Sequence, residues 1–272
     1  MSKRSRKNNQ SQFKELLSII IPVHGRFDLL EQCLSVLPDA AGDITYKVIL
    51  IDNASPKEEA APFYAKLPNA FAVIRNKTNV GFPKACNQGA RKSLSPLLFF
   101  LNSDVILKPG AISNMVKVLD DPNVGIVGAK LIFPHGTQSG PEGKVQHVGL
   151  ATDIRGDWIH LFIGWNPDNA KVRRVRDVLA VTGAALMTRR SIYSQVGGFD
   201  EVYGMGTYED VEYCMKVRLT GKNIIVEQSA VGEHWTNATA RQYGIGFPLQ
   251  QNKSIFMSRW MNKYPWSSWL HL

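Results

Sequence analysis

The chain has 272 residues, 44% hydrophobic and 20% charged, which is the composition of an ordinary globular protein with room for one large or two small domains. Its formal net charge of +9 favours anionic partners: nucleotides, nucleic acid or an anionic membrane face. No apolar run approaches the roughly 18–20 residues of a membrane-spanning helix, and the isolated Cys33, Cys86 and Cys214 lack the spacing of a metal site or a disulfide framework. The basic start Met1-Ser2-Lys3-Arg4-Ser5-Arg6-Lys7 is followed by no signal-like apolar region. The expectation is a reduced, cytoplasmic protein, with peripheral contact at the inner membrane face left open.

Residues 1–15 read as a basic tail without regular structure. Residues 17–21 then form an apolar strand stopped by Pro22, and Phe27, Leu30, Leu34 and Leu37 recur at helical spacing. Residues 48–51 are a second strand, after which Ser55-Pro56-Lys57-Glu58 has the form of a capping box with proline at the first helical position. Residues 71–74 are a third strand, 83–94 a helix and 96–101 a fourth strand. A helix marked by Ile112, Met115, Val116 and Leu119 leads to a strand over 124–133. Continuous apolar strands between helices predict an α/β fold, a mostly parallel sheet flanked by helices on both faces.

From His135 the character changes. Residues 135–143 are a loop rich in glycine, followed by short β-like pieces and the segment 181–187. Val211, Met215 and Leu219 mark a helix starting near Glu209, and 224–226 is a last short strand. Phe256, Trp260 and Tyr264 share one face of a C-terminal helix. The economical reading is one domain over 16–247, with a nucleotide-binding half over 16–134 fused to an acceptor-binding half over 135–247, and an aromatic helical extension over 248–272.

In a doubly wound sheet the carboxyl ends of the strands lie along one edge, where ligands bind. The first strand presents Pro22, Val23, His24 and Arg26, whose backbone can hydrogen-bond a base. The second presents Asp52, which can accept from a base imide N–H; an unpaired buried carboxylate is costly, so the contact would be selective. The third leads to Asn79, Gly81 and Lys84, where glycine permits close backbone approach and a helix N-terminus favours anions. The fourth ends in Asn102-Ser103-Asp104, and a carboxylate there can hold a divalent cation that in turn holds a diphosphate. The glycine patterns of dinucleotide and P-loop sites are absent.

Six strings occur in order: Ser18-Ile19-Ile20-Ile21-Pro22-Val23, Ile51-Asp52-Asn53-Ala54-Ser55, Asn79-Val80-Gly81-Phe82, Leu101-Asn102-Ser103-Asp104-Val105, Gly197-Gly198-Phe199-Asp200-Glu201 and Tyr208-Glu209-Asp210-Val211-Glu212. Together they resemble the family-2 glycosyltransferases over about Leu17 to His234. The resemblance implies the GT-A fold and a nucleoside-diphosphate-sugar donor, UDP-linked before others. The family's metal motif is often Asp-x-Asp; here Asn102 stands first and Asp104 is the implied metal carboxylate, with His234 at the place of a later metal-binding histidine. The implied cofactor is Mn²⁺ or Mg²⁺, the histidine tilting the choice towards Mn²⁺. Glu209-Asp210 matches the family's base motif, and a single base with direct attack would invert the anomeric centre. Thr207 with Asp210 also fits a capping box, which would leave Glu209 as the base.

Acceptor contacts are expected from Trp158, Thr182, Gly183 and Trp235, with buried packing as the competing role for the tryptophans. The expected acceptor is a cell-envelope polysaccharide or lipid-linked glycan, since Trp260, Trp266 and Trp269 could touch a membrane interface. A hydroxylated base in DNA is the alternative, suggested by the charge alone. A non-catalytic sugar-nucleotide or glycan-binding module is the alternative of another class, permitted by Asn102.

Overall fold

The computed structural model of the protein describes residues 15–68, 71–136, 139–152, 157–260 and 263. The basic tail up to residue 14 and the aromatics Tyr264, Trp266 and Trp269 lie outside the described residues. In chain order the elements are β1 (Leu17–Val23), α1 (Phe27–Ser35), α2 (Leu37–Ala41), β2 (Tyr46–Asp52), α3 (Lys57–Tyr64) and β3 (Ala72–Arg75). Next come α4 (Phe82–Lys92), β4 (Leu97–Leu101), β5 (Val105–Leu107), α5 (Ala111–Val118) and β6 (Val124–Ile132). The second half contributes β7 (Val145–His147), β8 (Leu150–Thr152), β9 (Trp158–His160), α6 (Ala170–Arg173), β10 (Ala185–Arg189) and α7 (Arg190–Gln195). It closes with α8 (Glu209–Arg218), β11 (Asn223–His234), α9 (Ala238–Tyr243) and α10 (Leu249–Trp260).

The main sheet has the order β3-β2-β1-β4-β10-β6-β11-β5, with β7 added to β6, while β8 pairs β9 separately. Strands β1, β2, β3, β4, β6 and β11 run one way and β10, β5 and β7 run against them, so the sheet is mostly parallel. Its apolar runs are continuous because both faces are covered. Ile19, Ile21 and Val23 of β1 pack with Leu30 of α1, Leu37 of α2 and Met115 of α5. Ile20 faces the other cluster, which contains Cys86 of α4, Tyr213 of α8 and Phe256 of α10.

Several local readings change. Pro22 lies within β1 rather than ending it. Val23 O accepts from Asn53 N on the β2 side, so Pro22 faces the β4 side, where pairing has already ended at Ile20 and no amide hydrogen is needed. Leu37 belongs to a second short helix, because Pro38 follows it and cannot continue α1. Ser55 does not cap α3, which has no side-chain cap; its Oγ accepts from Gly25 N at 2.9 Å. The last strand is far longer than 224–226: β11 runs the 12 residues to His234 and pairs β5, a strand that its short length hid. Trp260 is buried and stacks on Phe256 in the core, so it offers nothing to a membrane interface.

Candidate active site

Strand direction assembles the site. β1, β2 and β4 are parallel, so Val23, Asp52 and Leu101 end at one sheet edge. β10 is antiparallel to β4, which brings its leading residues Thr182, Gly183 and Ala184 to the same edge; Asn102 N donates to Ala184 O at 2.9 Å. β11 also ends there, and its register sets His234 opposite Val105, next to Asp104. A cleft of about 600 Å³ opens on this edge. Of the residues expected from sequence, Pro22, Val23, His24, Asn79, Asn102, Ser103, Asp104, Thr182, Gly183, Glu209, Asp210 and His234 line it.

On one wall, Asp104 and His234 are both buried, and Asp104 Oδ1 lies 3.3 Å from His234 Nε2. His234 Nδ1 is 2.6 Å from Gln146 Oε1. Because an amide oxygen accepts, Nδ1 carries a ring hydrogen, and in the Nδ1–H tautomer an Nε2 lone pair is turned towards a carboxylate oxygen. Acceptor facing acceptor is the chemistry of a cation position, and one oxygen with one imidazole nitrogen suits Mn²⁺ or a similar ion. Among the described residues no group of three His, Cys, Asp or Glu side chains gathers to hold a metal ion.

Glu209 and Asp210, also in the cleft lining, begin α8. Thr207 and Tyr208 precede them with φ of 78° and 69°, left-handed values that cost a β-branched or aromatic residue roughly 1–3 kcal/mol each. Asn252 of α10, itself buried, secures this bend: its Nδ2 donates to Tyr203 O at 3.0 Å and Gly206 O at 2.7 Å. Thr207 Oγ1 lies 3.1 Å from the same nitrogen, and α8 starts from Tyr208 with no side-chain cap, so the Thr207 capping box does not form. Arg259 reaches from α10 to Glu212 at 3.3 Å and to Asp200 at 2.7 Å. The C-terminal helix thus shapes the site and is part of its core.

Asp210 Oδ2 accepts from Gly183 N at 2.9 Å and Oδ1 from Val211 N at 2.8 Å. Burial raises its pKa and these N–H groups partly restore the carboxylate. Glu209 Oε2 is buried with no hydrogen-bond partner among the described residues. Burial first, and the neighbouring Asp210 second, push the Glu209 carboxyl well above the usual carboxylate range.

Other expected residues lie elsewhere. Asp52 is fully buried and outside the cleft; Oδ1 accepts from Ser55 N at 2.8 Å, and Arg75 Nε lies 3.2 Å from Oδ2. Through Ser55 Oγ and Gly25 N it braces the first loop rather than presenting itself to a base. Arg26 is tied to Asp28 at 2.7 Å and does not line the cleft. Gly81 at φ 83° admits another loop, not a ligand: a Cβ there would stand 1.9 Å from Gly204 O. Lys84 is exposed on α4. Trp158 packs edge-on against Phe256 at 5.8 Å, and Trp235 is half-buried with its N donating to Asp104 O; neither lines the cleft.

The cleft also contains Asn53, Gln146, His160, Thr236 and Phe247, which sequence reading passed over. His147, beside Gln146, is fully buried: Nδ1 lies 3.0 Å from His160 Nδ1, and Nε2 accepts from Thr182 N at 3.3 Å. Burial holds His160 down to about 4, so the pair is neutral at pH 7. The available signal was Gln146-His147 between two apolar residues, since polar side chains in an apolar run need buried partners.

The glycosyl transferase family 2 model matches residues 18–197. The O-antigen biosynthesis protein RfbC of Myxococcus xanthus is 27% identical over 238 residues, 84% of this chain and 18% of the relative. The uncharacterized protein y4gI of Sinorhizobium fredii is 26% identical over 216 residues, 76% of this chain and 23% of the relative, so the chain spans less than a quarter of both. The N-acetylglucosaminyl-diphospho-decaprenol L-rhamnosyltransferase of Mycobacterium tuberculosis is 25% identical over 250 residues, 84% of this chain and 78% of the relative. Among solved structures, GalNAc-T7 with UDP, GalNAc and Mn²⁺ superposes with a TM-score of 0.70 at 18% identity, covering 92% of this chain and 49% of that one. The mannosyltransferase PcManGT of Pyrobaculum calidifontis with GDP-Man and Mn²⁺ gives 0.57 at 17% identity, covering 91% and 69%. The fold is the GT-A fold of glycosyltransferases.

Proposed function

The chain belongs to glycosyl transferase family 2, and from that premise we propose that it is a glycosyltransferase that moves a sugar from a nucleoside-diphosphate donor, UDP-linked, to an acceptor hydroxyl with inversion and divalent-metal assistance. The observation that carries this reading is one cleft with Asp104 opposed to His234 Nε2 at 3.3 Å on one wall and the buried pair Glu209-Asp210 on another. Asp104 and His234 would hold Mn²⁺ or Mg²⁺, which when bound supplies charge neutralisation to the departing diphosphate. Pro22, Val23 and His24, which line the cleft, would take the nucleoside; the His24 ring is fixed by Nδ1 donating to Asn53 O at 2.8 Å.

Asp210 is the base. Its two backbone N–H contacts favour the carboxylate, whereas burial and an Oε2 without a partner among the described residues favour the protonated acid at Glu209. The acceptor hydroxyl gives its proton to Asp210 as its oxygen bonds to the anomeric carbon; the bond from that carbon to the diphosphate breaks, and its electron pair leaves with the nucleoside diphosphate. Glu209 stands beside Asp210 in the cleft lining and would hydrogen-bond the sugar hydroxyls. Positioned base catalysis contributes roughly 10²–10⁴-fold.

For the acceptor, a cell-envelope polysaccharide or lipid-linked glycan is supported by the names of the relatives that act in O-antigen biosynthesis and on a decaprenol-linked sugar. Among the described residues no helix is long and apolar enough to cross a membrane. Transfer assays across UDP-, GDP- and dTDP-sugars, with and without Mn²⁺, and with glycan, polyprenyl-linked and hydroxymethylated-DNA acceptors test each part. Metal-independent transfer would remove the cation; transfer to the DNA alone, with a steep salt dependence, would replace the acceptor.

A further inference from the structure

Gln146 on β7 is buried, and its partners fix which way round its amide lies. Nε2 is 3.0 Å from the backbone O of His234 and 2.6 Å from Thr236 Oγ1. A carbonyl oxygen can only accept, so this end of the amide is the NH₂ group. The other end is then the oxygen, 2.6 Å from His234 Nδ1, and an amide oxygen can only accept as well. Nδ1 therefore carries a hydrogen, and of the two tautomers open to the uncharged ring this partner selects Nδ1–H. In the opposite tautomer Nε2 would carry it and aim it at Asp104 Oδ1, 3.3 Å away, closing that position to a cation.

We propose that Gln146 is a positioning residue that locks His234 as the Nδ1–H tautomer and so prepares Nε2 to bind a divalent cation beside Asp104; the inference rests on the metal-assisted reading above. The lock acts on the chain as well as on the ring. One amide holds the backbone O of His234, the ring of His234 and the hydroxyl of Thr236, so it clamps the point where β11 gives way to the segment before α9. The clamp comes from a strand 88 residues away in sequence. Ligand imidazoles are oriented in this way by a partner on their other nitrogen, and removal of such a partner costs roughly 10–100-fold in metal affinity.

The test uses the full chain labelled with ¹⁵N-histidine, without metal, at pH 8, with the His234 signals identified by their loss in His234→Ala. Long-range proton–nitrogen spectra should show His234 protonated at Nδ1. Gln146→Met fills the same space without an acceptor, and should release the ring into the Nε2–H form or a mixture. Calorimetric titration with Mn²⁺ in the presence of UDP should then show affinity about 10–100-fold weaker than wild type. A wild-type His234 in the Nε2–H form would overturn the proposal, as would a Gln146→Met protein, folded by circular dichroism, with unchanged tautomer and unchanged Mn²⁺ affinity. A Gln146-dependent tautomer in a wild-type protein that takes up no Mn²⁺ would overturn the metal-assisted reading and the purpose given to the lock, while the lock itself stood.

Discussion

Replacing Asp210 by Asn separates proton acceptance from shape. The carboxylate accepts from Gly183 N at 2.9 Å and from Val211 N at 2.8 Å. Asn keeps one acceptor oxygen and turns an NH₂ group onto the other N–H, so it loses one charge-assisted bond of roughly 1.5–3 kcal/mol. It also removes a carboxylate whose ionisation burial disfavours, which offsets that loss. The net effect on stability is therefore small, and the fall in turnover reports chemistry. With no proton acceptor the rate should drop at least about 100-fold, the low end of general-base catalysis. Donor affinity should hold, because Asn keeps the shape of the side chain and a partner for one of the two backbone N–H groups. Initial-rate kinetics with the donor varied at saturating acceptor measure kcat and KM separately, and calorimetry measures donor binding. The wild-type acid limb should lie above the usual carboxylate range, since burial raises both Asp210 and Glu209, and the limb should vanish in Asp210→Asn. A variant within tenfold of wild-type kcat, or one that keeps the limb while Glu209→Gln loses it, would refute the assignment of the base.

Asp104→Ala should leave the fold intact and abolish metal-dependent nucleotide binding, with a loss beyond the roughly 100-fold that a partner behind the ligand would cost; unchanged calorimetry with UDP and Mn²⁺ would end the metal role. Glu209→Gln should stabilise the protein at pH 8: the folded-state pKa is raised, so wild type loses stability as pH climbs from the unfolded value near ~4.3 towards the folded one, and Gln does not. The gain should disappear below that unfolded value, as urea midpoints at pH 8 and pH 4 would show. Asn252→Ala should destabilise by roughly 2–4 kcal/mol, because the buried carbonyls of Tyr203 and Gly206 lose their donor. It should also lower turnover by releasing the strained bend before Glu209, and an unchanged melting temperature would count against that role.

Consecutive apolar residues make β1, β2 and β4 readable as buried strands, and a strand's end is a place, so chain order alone sets His24, Asn102 and Asp104 on one edge. Glu209-Asp210 and His234 are legible from the order of short motifs and do line the cleft. What chain order cannot say is which way a side chain at such an end turns. Asp52 turns inward onto Ser55 and Arg75, and Gly81 makes room for Gly204 rather than for a ligand. Aromatic identity likewise leaves Trp158 and Trp260 undecided, and packing against Phe256 settles both. Gln146 and His147 belong to a strand of three residues, too short to carry a periodic signal, and their partners His234 and Thr182 are 88 and 35 residues away. Local pattern records the cost of exposing apolar surface, residue by residue. Hydrogen-bond partners across the sheet are decided only when antiparallel β10 and the register of β11 with β5 bring distant polar atoms within about 3 Å of one another.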